Sequence, residues 1–160
     1  MNTRGSADRV IRPACEVDTA DLHALHTAAV RSACAPHYST AVIEGWLHGR
    51  APADYLPPVQ RGDLHVAERG GEVLGFVEAV PGSVVALYVA PSAMRQGVGA
   101  ALFQHGLSTA LAAAGGDVVL QATLNAVGFY RRFGFDAVRH THVVRNRVEV
   151  PIVEMLYRRP

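Results

Sequence analysis

The chain has 160 residues, of which 49% are hydrophobic and 18% are charged, and its formal net charge at pH 7 is +1. This length and composition predict one globular domain with a sizeable core and not a disordered chain. The basic residues are scattered, so the concentrated positive face of a nucleic-acid-binding protein is not expected. All 15 of them are arginine, which excludes lysine Schiff-base chemistry and the lysine of a nucleotide-binding P-loop.

The two cysteines, Cys15 and Cys34, have neither CxxC spacing nor a neighbouring cluster of ligands. They predict buried or half-buried free thiols in a reducing compartment. The first residues lack the apolar core of a signal peptide, and no apolar run reaches the roughly 18 residues of a membrane span. We therefore expect a cytoplasmic protein that binds neither nucleic acid nor membranes, with residues 1–8 as a flexible tail and residues 9–160 as a single domain.

Two histidine pairs raise the question of a metal site. His23 and His26 are three residues apart in a predicted helix, and His140 and His142 share one face of a predicted strand. Neither pair has a carboxylate or a further histidine that completes a ligand set. The sequence therefore predicts surface histidines at positions 23 and 26 and no bound metal.

The first half of the chain begins with a predicted strand over residues 9–14 and a helix over residues 19–31, which has apolar residues at helical spacing. Ser39 stands at the N-cap position of a second helix over residues 40–49. Proline and glycine are frequent in residues 50–63, which are predicted to form a loop.

The second half begins with a hairpin closed by two glycines and continues with alternating strands and helices. The predicted strands cover residues 64–69, 72–80, 83–90, 117–123, 134–144 and 148–158, and the predicted helices cover residues 97–114 and 125–133. The strand over residues 117–123 reads as buried on both faces. The order predicts a mixed α/β fold, with a mostly antiparallel twisted sheet of six to seven strands, one parallel β-α-β crossover and about four helices.

The stretch LYVAPSAMRQGVGAALF, residues 87–103, runs from a strand through Gly97 and Gly99 into a helix. A helix start presents unpaired N–H groups and part of a positive charge, and glycine lets a ligand approach those amides. Arg95 could add a charged contact to a phosphate. A plain strand-to-helix turn would contain the same glycines. A dinucleotide fingerprint needs glycine where Leu102 stands, so that class of site is excluded.

A second stretch, LNAVGFYRRFGF over residues 124–135, places several aromatic residues on a short helix. Phe129 and Phe133 are typical of a core cluster. Tyr130 differs, because its hydroxyl needs a partner or water if it is buried, and it can donate a proton.

These two segments, about 30 residues apart, resemble the GCN5-related N-acetyltransferase (GNAT) superfamily. Residues 87–103 resemble its acetyl-CoA pyrophosphate loop, and ATLNAVGFYRRFGF resembles its later strand–helix motif. The predicted order of elements is similar to that superfamily over nearly the whole chain. The resemblance implies a small single-domain acetyltransferase that uses acetyl-CoA, needs no metal and acetylates an amine of a small molecule or a protein. It leaves open a homodimer and, as an alternative function, a non-catalytic acyl-CoA-binding module.

The resemblance also implies residue roles. The backbone of the strand would pair with the pantetheine arm, the amides of the glycine turn would hold the pyrophosphate, and Tyr130 would protonate the leaving thiolate. Arg131 and Arg132 would reach the phosphates on the adenosine side. The expected cofactor-binding residues are Leu87, Tyr88, Val89, Arg95, Gln96, Gly97, Val98, Gly99, Ala100, Thr123, Asn125 and Arg132.

The chain departs from the superfamily pattern at two places. Met94 stands where the loop usually has glutamine or arginine, so either one polar contact is missing or Arg95 or Gln96 takes it over. Thr123 stands where an asparagine is common, and Asn125 follows two residues later. Asn125 either supplies the missing hydrogen bond to the ligand or caps the short helix.

The general base and the acceptor site are the least defined parts of the prediction. Glu78, on the strand before the cofactor-binding strand, is the candidate base, with His37 and His65 as alternatives. In the superfamily the first two helices and their loop line the acceptor side of the cleft. The candidate acceptor residues are therefore Tyr38, Ser39 and Trp46, although Ser39 could be only a helix cap and Trp46 only a core residue.

Overall fold

The computed structural model describes residues 8–112 and 115–160. The flexible tail expected at residues 1–8 and the expected helix end near Ala114 therefore lie largely outside the described residues. The elements are β1 Val10–Pro13, α1 Thr19–Ala33, α2 Thr40–Leu47, α3 Leu56–Arg61, β2 Leu64–Arg69, β3 Glu72–Val80, β4 Ser83–Val89, α4 Val98–Leu111, β5 Val118–Thr123, α5 Val127–Arg131, β6 Asp136–Arg145 and β7 Val148–Tyr157.

The seven strands form one sheet in the order β1-β2-β3-β4-β5-β7-β6. Neighbouring strands are antiparallel except for β4 and β5, which pair in parallel at Ser83 and Val119. Helix α4 connects these two parallel strands. The expected mostly antiparallel sheet with one β-α-β crossover is therefore confirmed.

Apolar side chains cover both faces of the sheet. One core cluster surrounds Phe103 of α4, and two others lie under α1 and α2. Helix α4 buries Leu102, Phe103, Gly106 and Ala110. A Cβ on Gly106 would lie 2.6 Å from Val77 Cγ2, so α4 approaches β3 closely at this glycine.

The prediction that residues 50–63 form a loop is wrong. Residues Pro52–Tyr55 form a 3₁₀ turn that continues directly into α3. Proline is tolerated in the first turn of a helix, where no backbone N–H is needed, so Pro57 and Pro58 are compatible with α3. Gly62, with φ of 78°, ends the helix in the left-handed conformation that glycine adopts most easily.

The prediction that β5 is buried on both faces is also wrong. Val118, Leu120 and Ala122 pack into the cluster around Phe103, whereas Val119 is 43% exposed. Val119 and Gln121 line an open groove of about 300 Å³ on the other face. The continuous apolar run therefore reflects one covered face and one groove, and not two covered faces.

His26 and Cys15 also differ from expectation. His26 is buried and its Nδ1 lies 2.7 Å from the Tyr55 hydroxyl, so the predicted surface location is wrong. It occupies the same face of α1 as Leu25 and Ala29, which the helical period places inside. Cys15 is exposed and Cys34 is buried, and both are free thiols.

Within the described ranges, no helix is long and apolar enough to cross a bilayer. The same part of the chain has no group of three or more histidine, cysteine or acidic side chains that could hold a metal ion.

Candidate active site

A cavity of about 650 Å³ lies between β4 and β5, beyond the point where the two strands pair. The ends of β4 and β5, the start of α4 and helix α5 provide most of its walls. The cavity brings together Tyr130 and every expected cofactor residue except Gln96, which are Leu87, Tyr88, Val89, Arg95, Gly97, Val98, Gly99, Ala100, Thr123, Asn125 and Arg132.

Strand β4 presents an unpaired backbone edge to this cavity. The Ala90 N–H donates a hydrogen bond to the Leu74 carbonyl across the β3–β4 pair (2.8 Å). Because bonding alternates along an antiparallel strand, the backbone groups of Tyr88 also face β3, and those of Leu87 and Val89 face the cavity. An extended ligand with amide groups can therefore pair with Leu87 and Val89 in the manner of an added strand.

The loop before α4 has an unusual backbone. Arg95 has a φ of 61° and Gly97 a φ of 77°. A non-glycine residue in this region costs about 1–2 kcal/mol, so the surrounding contacts hold Arg95 there. The loop leads into the start of the 14-residue helix α4, where unpaired N–H groups and the helix dipole favour an anion.

Glycine at position 99 is not required by packing within the protein. A Cβ built on Gly99 would lie 3.5 Å from Val89 Cγ2 and 3.7 Å from Phe129 Cε2, which are ordinary van der Waals distances. Both neighbours line the cavity, so the Cβ would project into it. The space above Gly99 is thus available to a ligand that approaches the helix start.

The charged side chains that line the cavity are both arginines. Arg95 belongs to the loop, and the guanidinium of Arg132 lies 5.7 Å from the centre of the Phe129 ring. No aspartate or glutamate of the described residues is among the lining side chains. This charge distribution favours a ligand with phosphate groups.

Tyr130 lies on α5 within an aromatic cluster. Its ring centre is 5.1 Å from that of Phe103 and 5.3 Å from that of Phe129. Burial raises the pKa of the Tyr130 hydroxyl above its ordinary value of 10, so the group is protonated at neutral pH. It can therefore donate a hydrogen bond or a proton into the cavity.

Cys34, Asn125 and Tyr88 line the cavity where it approaches α1. Cys34 Sγ donates to Asn125 Oδ1 (3.5 Å), and burial raises the Cys34 pKa to about 11. The thiol is therefore protonated and is not an activated nucleophile. Burial, and to a smaller degree the nearby Cys34 and Tyr130, raise the pKa of Tyr88. Asn125 is not an N-cap residue. Thr123 is the N-cap of the 3₁₀ turn Leu124–Ala126, and Ala126 is the N-cap of α5.

The three expected acceptor residues do not line the cavity. The Tyr38 hydroxyl donates to the Pro151 carbonyl (2.5 Å) and accepts from the Leu124 N–H (3.0 Å). Ser39 Oγ accepts from the Val42 N–H (3.2 Å) as the N-cap of α2, and Trp46 is buried in the core under α2. Tyr38 thus anchors the α1–α2 segment to β7 and to the chain that carries Asn125.

The structure does not bring the candidate bases to the cavity. Glu78 Oε1 lies 3.8 Å from Arg61 Nη2, and burial raises the Glu78 pKa despite the opposing effect of Arg61. His37 is exposed, and the His65 ring lies 4.4 Å from the ring of His105. None of these candidates is among the described lining residues.

Two features of the site escaped the sequence-based prediction. Ala29 and Ala33 of α1 line the cavity beside Cys34, although three of the seven strands lie between α1 and the loop along the chain. His26 packs against the face of Tyr88, with ring centres 4.0 Å apart. The helical period of α1 was the available signal, because it places residues 22, 25, 26, 29 and 30 on one face.

Comparison with known proteins identifies the family. The family model described as the acetyltransferase (GNAT) domain matches residues 34–156. The chain belongs to the GNAT family. As a GNAT protein it is an N-acetyltransferase, which confirms the expected enzyme class. YafP of Escherichia coli (strain K12), an uncharacterised N-acetyltransferase, is 25% identical over 79% of this chain and 80% of its own.

Solved structures described as acetyltransferases have the same fold. A GCN5-related N-acetyltransferase from Rhodopseudomonas palustris superimposes with a TM-score of 0.87 at 22% identity, over 99% of this chain and 100% of its own. The yncA structure from Salmonella typhimurium, which contains its cofactor acetyl-CoA, has a TM-score of 0.70 at 17% identity, with 95% and 94% covered. The PaiA N-acetyltransferase of Thermoplasma acidophilum, solved with coenzyme A, has a TM-score of 0.75 at 17% identity, with 95% and 99% covered.

Proposed function

We propose that this GNAT protein transfers an acetyl group from acetyl-CoA directly to an amine of a small molecule or a protein. The observation that carries the proposal is one continuous cavity that joins an anion-binding helix start, an unpaired β4 edge and the Tyr130 hydroxyl. A molecule with phosphates at one end, amides along its arm and a thioester at the other matches these three features in order. The relatives solved with acetyl-CoA and coenzyme A support the same ligand.

In this proposal the pyrophosphate binds the amides between Arg95 and Ala100, and Arg132 contacts the adenosine-side phosphates. The pantetheine amides pair with the cavity-facing backbone groups of Leu87 and Val89. The thioester then lies near Tyr130. A cavity-facing backbone N–H of β4 near Val89 that the pantetheine amides leave unpaired is the donor that polarises the thioester carbonyl oxygen.

The chemical step forms one bond and breaks another. The lone pair of the neutral amine attacks the thioester carbonyl carbon, the C–N bond forms, and the C–S bond breaks with its electron pair on sulfur. Tyr130 donates its proton to the thiolate, and the proton lost by nitrogen leaves through water. Cys34 keeps its proton and takes no part as a nucleophile.

Binding of acetyl-CoA is tested by isothermal titration calorimetry on the purified protein. We expect one acetyl-CoA per chain and a rise in melting temperature at saturating ligand, because the ligand binds only the folded state. The absence of both binding heat and thermal stabilisation contradicts the cofactor assignment.

Acetyl transfer is tested with a panel of small amines and amine-bearing peptides, read by release of free CoA thiol. Thiol release that depends on both the amine and the enzyme supports the proposal, and the most active amine begins to define the acceptor. Binding without any amine-dependent release contradicts the transfer step. The cytoplasmic location and the homodimer stay predictions from the sequence.

A further inference from the structure

Gln96 lies in the anion-binding loop but outside the cavity, where two arginines hold it. Arg9 Nη1 donates to the Gln96 backbone carbonyl (3.1 Å), and Arg69 Nη1 donates to the Gln96 side-chain Oε1 (3.1 Å). Gln96 Nε2 in turn donates to the Ser92 carbonyl (3.2 Å). Both the main chain and the side chain of Gln96 are therefore fixed from outside the cavity.

The hydrogen bond from Arg9 determines the orientation of the peptide plane between Gln96 and Gly97. In a trans peptide the N–H of a residue points away from the carbonyl of the residue before it, and the described chain contains no cis peptide. With the Gln96 carbonyl directed to Arg9, the Gly97 N–H is directed to the opposite side. Gly97 lines the cavity, so a flip of this plane would replace a donor for the anion with a carbonyl oxygen.

Gln96, whose carbonyl belongs to this plane, lies between two residues with a positive φ, Arg95 and Gly97. Such a backbone persists only where its surroundings over-determine it. The contacts that do so come from distant parts of the chain, since Arg9 is 87 residues and Arg69 is 27 residues before Gln96.

Neither arginine has an acidic partner in the described part of the chain. The ion pairs found there engage Arg12, Arg31, Arg61, Arg139 and His142. Glu68, the neighbour of Arg69, is bonded to Arg12 instead. Among the described residues, the side-chain hydrogen bonds that Arg9 and Arg69 donate both go to Gln96.

We propose that Arg9 and Arg69 are positioning residues that act through Gln96 to hold the loop in its ligand-binding shape. This inference rests on the proposed function of the loop as the pyrophosphate site. It predicts that affinity for acetyl-CoA depends on two arginines that do not line the cavity.

The first test is a double-mutant cycle on Arg69→Met and Gln96→Met, each titrated with acetyl-CoA by calorimetry. Each single variant is expected to raise Kd by about 2- to 12-fold, the range that corresponds to one typical intramolecular hydrogen bond. The double variant is expected to bind acetyl-CoA about as tightly as the single variant with the lower affinity, because the two substitutions remove the same contact. At saturating acetyl-CoA, kcat is expected to stay within about twofold of wild type, so the effect falls on KM.

Arg139→Met is the matched control, because Arg139 is an exposed arginine on β6 that pairs with Glu154. It removes one positive charge and is expected to leave Kd unchanged. Additive losses in the Arg69 and Gln96 double variant indicate that Arg69 reaches the ligand itself and overturn the positioning role. An equal loss in Arg139→Met assigns the effect to net charge and overturns it as well.

The second test needs no ligand. Amide hydrogen exchange of residues 95–99 in the free protein is expected to quicken in Arg9→Met and Arg69→Met and to stay unchanged in Arg139→Met. Unchanged exchange in the two loop variants overturns the positioning role whatever acetyl-CoA does. If the wild type fails to bind acetyl-CoA while the loop amides still exchange faster in these variants, the arginines position the loop and only the proposed cofactor is wrong.

Discussion

At the scale of single residues, two glycines of α4 serve opposite purposes. Gly106 lets the helix approach β3, where a Cβ would lie 2.6 Å from Val77 Cγ2. A Cβ on Gly99 would meet only ordinary contacts, and it would project into the cavity beside Val89 and Phe129. Close packing therefore favours glycine at position 106, whereas ligand access is the reason we assign to glycine at position 99.

Gly99→Ala is expected to separate binding from stability. Alanine favours a helix over glycine by about 0.5–1 kcal/mol, so the free energy of unfolding should stay equal or rise. Affinity for acetyl-CoA should fall about tenfold or more, because the new methyl group occupies the ligand's approach to the helix start. Urea denaturation and calorimetry measure the two quantities.

Gly106→Ala is the matched control on the same helix, since it should lower stability through the contact with Val77 and leave the intrinsic affinity of the folded protein nearly unchanged. A Gly99→Ala variant that binds acetyl-CoA as tightly as wild type would show that the ligand does not approach this position.

Tyr130→Phe is expected to lower kcat by about 10²- to 10⁴-fold, the usual contribution of a general acid. The substitution keeps the ring in its cluster with Phe103 and Phe129, so the melting temperature and the Kd for acetyl-CoA should change little. Single-turnover thiol release at saturating acetyl-CoA measures the effect. Undiminished release would remove the acid role from Tyr130 and leave it as a wall of the cavity.

The sequence was sufficient for those parts of the site that lie within one short segment. Gly97, Gly99 and Tyr130 could be predicted because each belongs to one short segment, and Tyr130 received its role from the resemblance of that segment to the GNAT superfamily. Arg9 and Arg69 were not, because their contact with Gln96 exists only once β1, β2 and the loop are folded together. Glu78 was misplaced for the same reason, since its strand position does not reveal which neighbour its carboxylate faces.

At the scale of elements, the short helix α2 depends on its cap. The predicted N-cap at Ser39 is present, with Oγ accepting from the Val42 N–H. The proposed acceptor role of Ser39 competes with this structural one, and its hydroxyl is already engaged.

Ser39→Ala is expected to lower the free energy of unfolding by about 1 kcal/mol, the usual contribution of an N-cap serine. The KM for the best amine acceptor should stay the same. Ser39→Asp keeps a capping oxygen and should recover most of the stability. A raised acceptor KM in Ser39→Ala without loss of stability would return Ser39 to the acceptor site.

The element boundaries that the sequence missed have physical reasons. Residues 50–63 read as a loop because proline is usually a helix breaker, yet Pro57 and Pro58 fall in the first turn of α3, where proline is compatible with a helix. The strand β5 read as doubly buried because an apolar run does not show which face is covered. For the strands and the other helices the type was predictable, because hydrophobic period and turn residues are local.

At the scale of the whole molecule, buried His26 links stability to pH. Burial is the main cause that lowers the His26 pKa from 6.5 to about 3, and the charge on Arg50 adds to it. The unfolded chain therefore binds more protons than the folded protein between about pH 6.5 and pH 3. The uncharged His26 side chain makes its full contribution to the free energy of unfolding above that window, and the contribution is lost as the pH falls through it.

We expect the free energy of unfolding to fall between pH 7 and pH 5 with a slope of up to about 1.4 kcal/mol per pH unit from this residue. His26→Phe should have a flatter profile, although its stability at pH 7 is lower because Tyr55 loses a partner. His37→Gln, at an exposed histidine, should keep the wild-type slope. Equal slopes in all three proteins would show that His26 titrates normally in the folded state.

The open edge of β4 lies inside the sheet and not at its rim. Unpaired strand edges at a rim invite pairing with other chains and lead to aggregation. Here a foreign strand would have to enter between β4 and β5, which pair at Ser83 and Val119. The unpaired N–H and C=O groups of β4 are therefore available to a small extended ligand, while the position of β4 inside the sheet prevents other polypeptides from pairing with them.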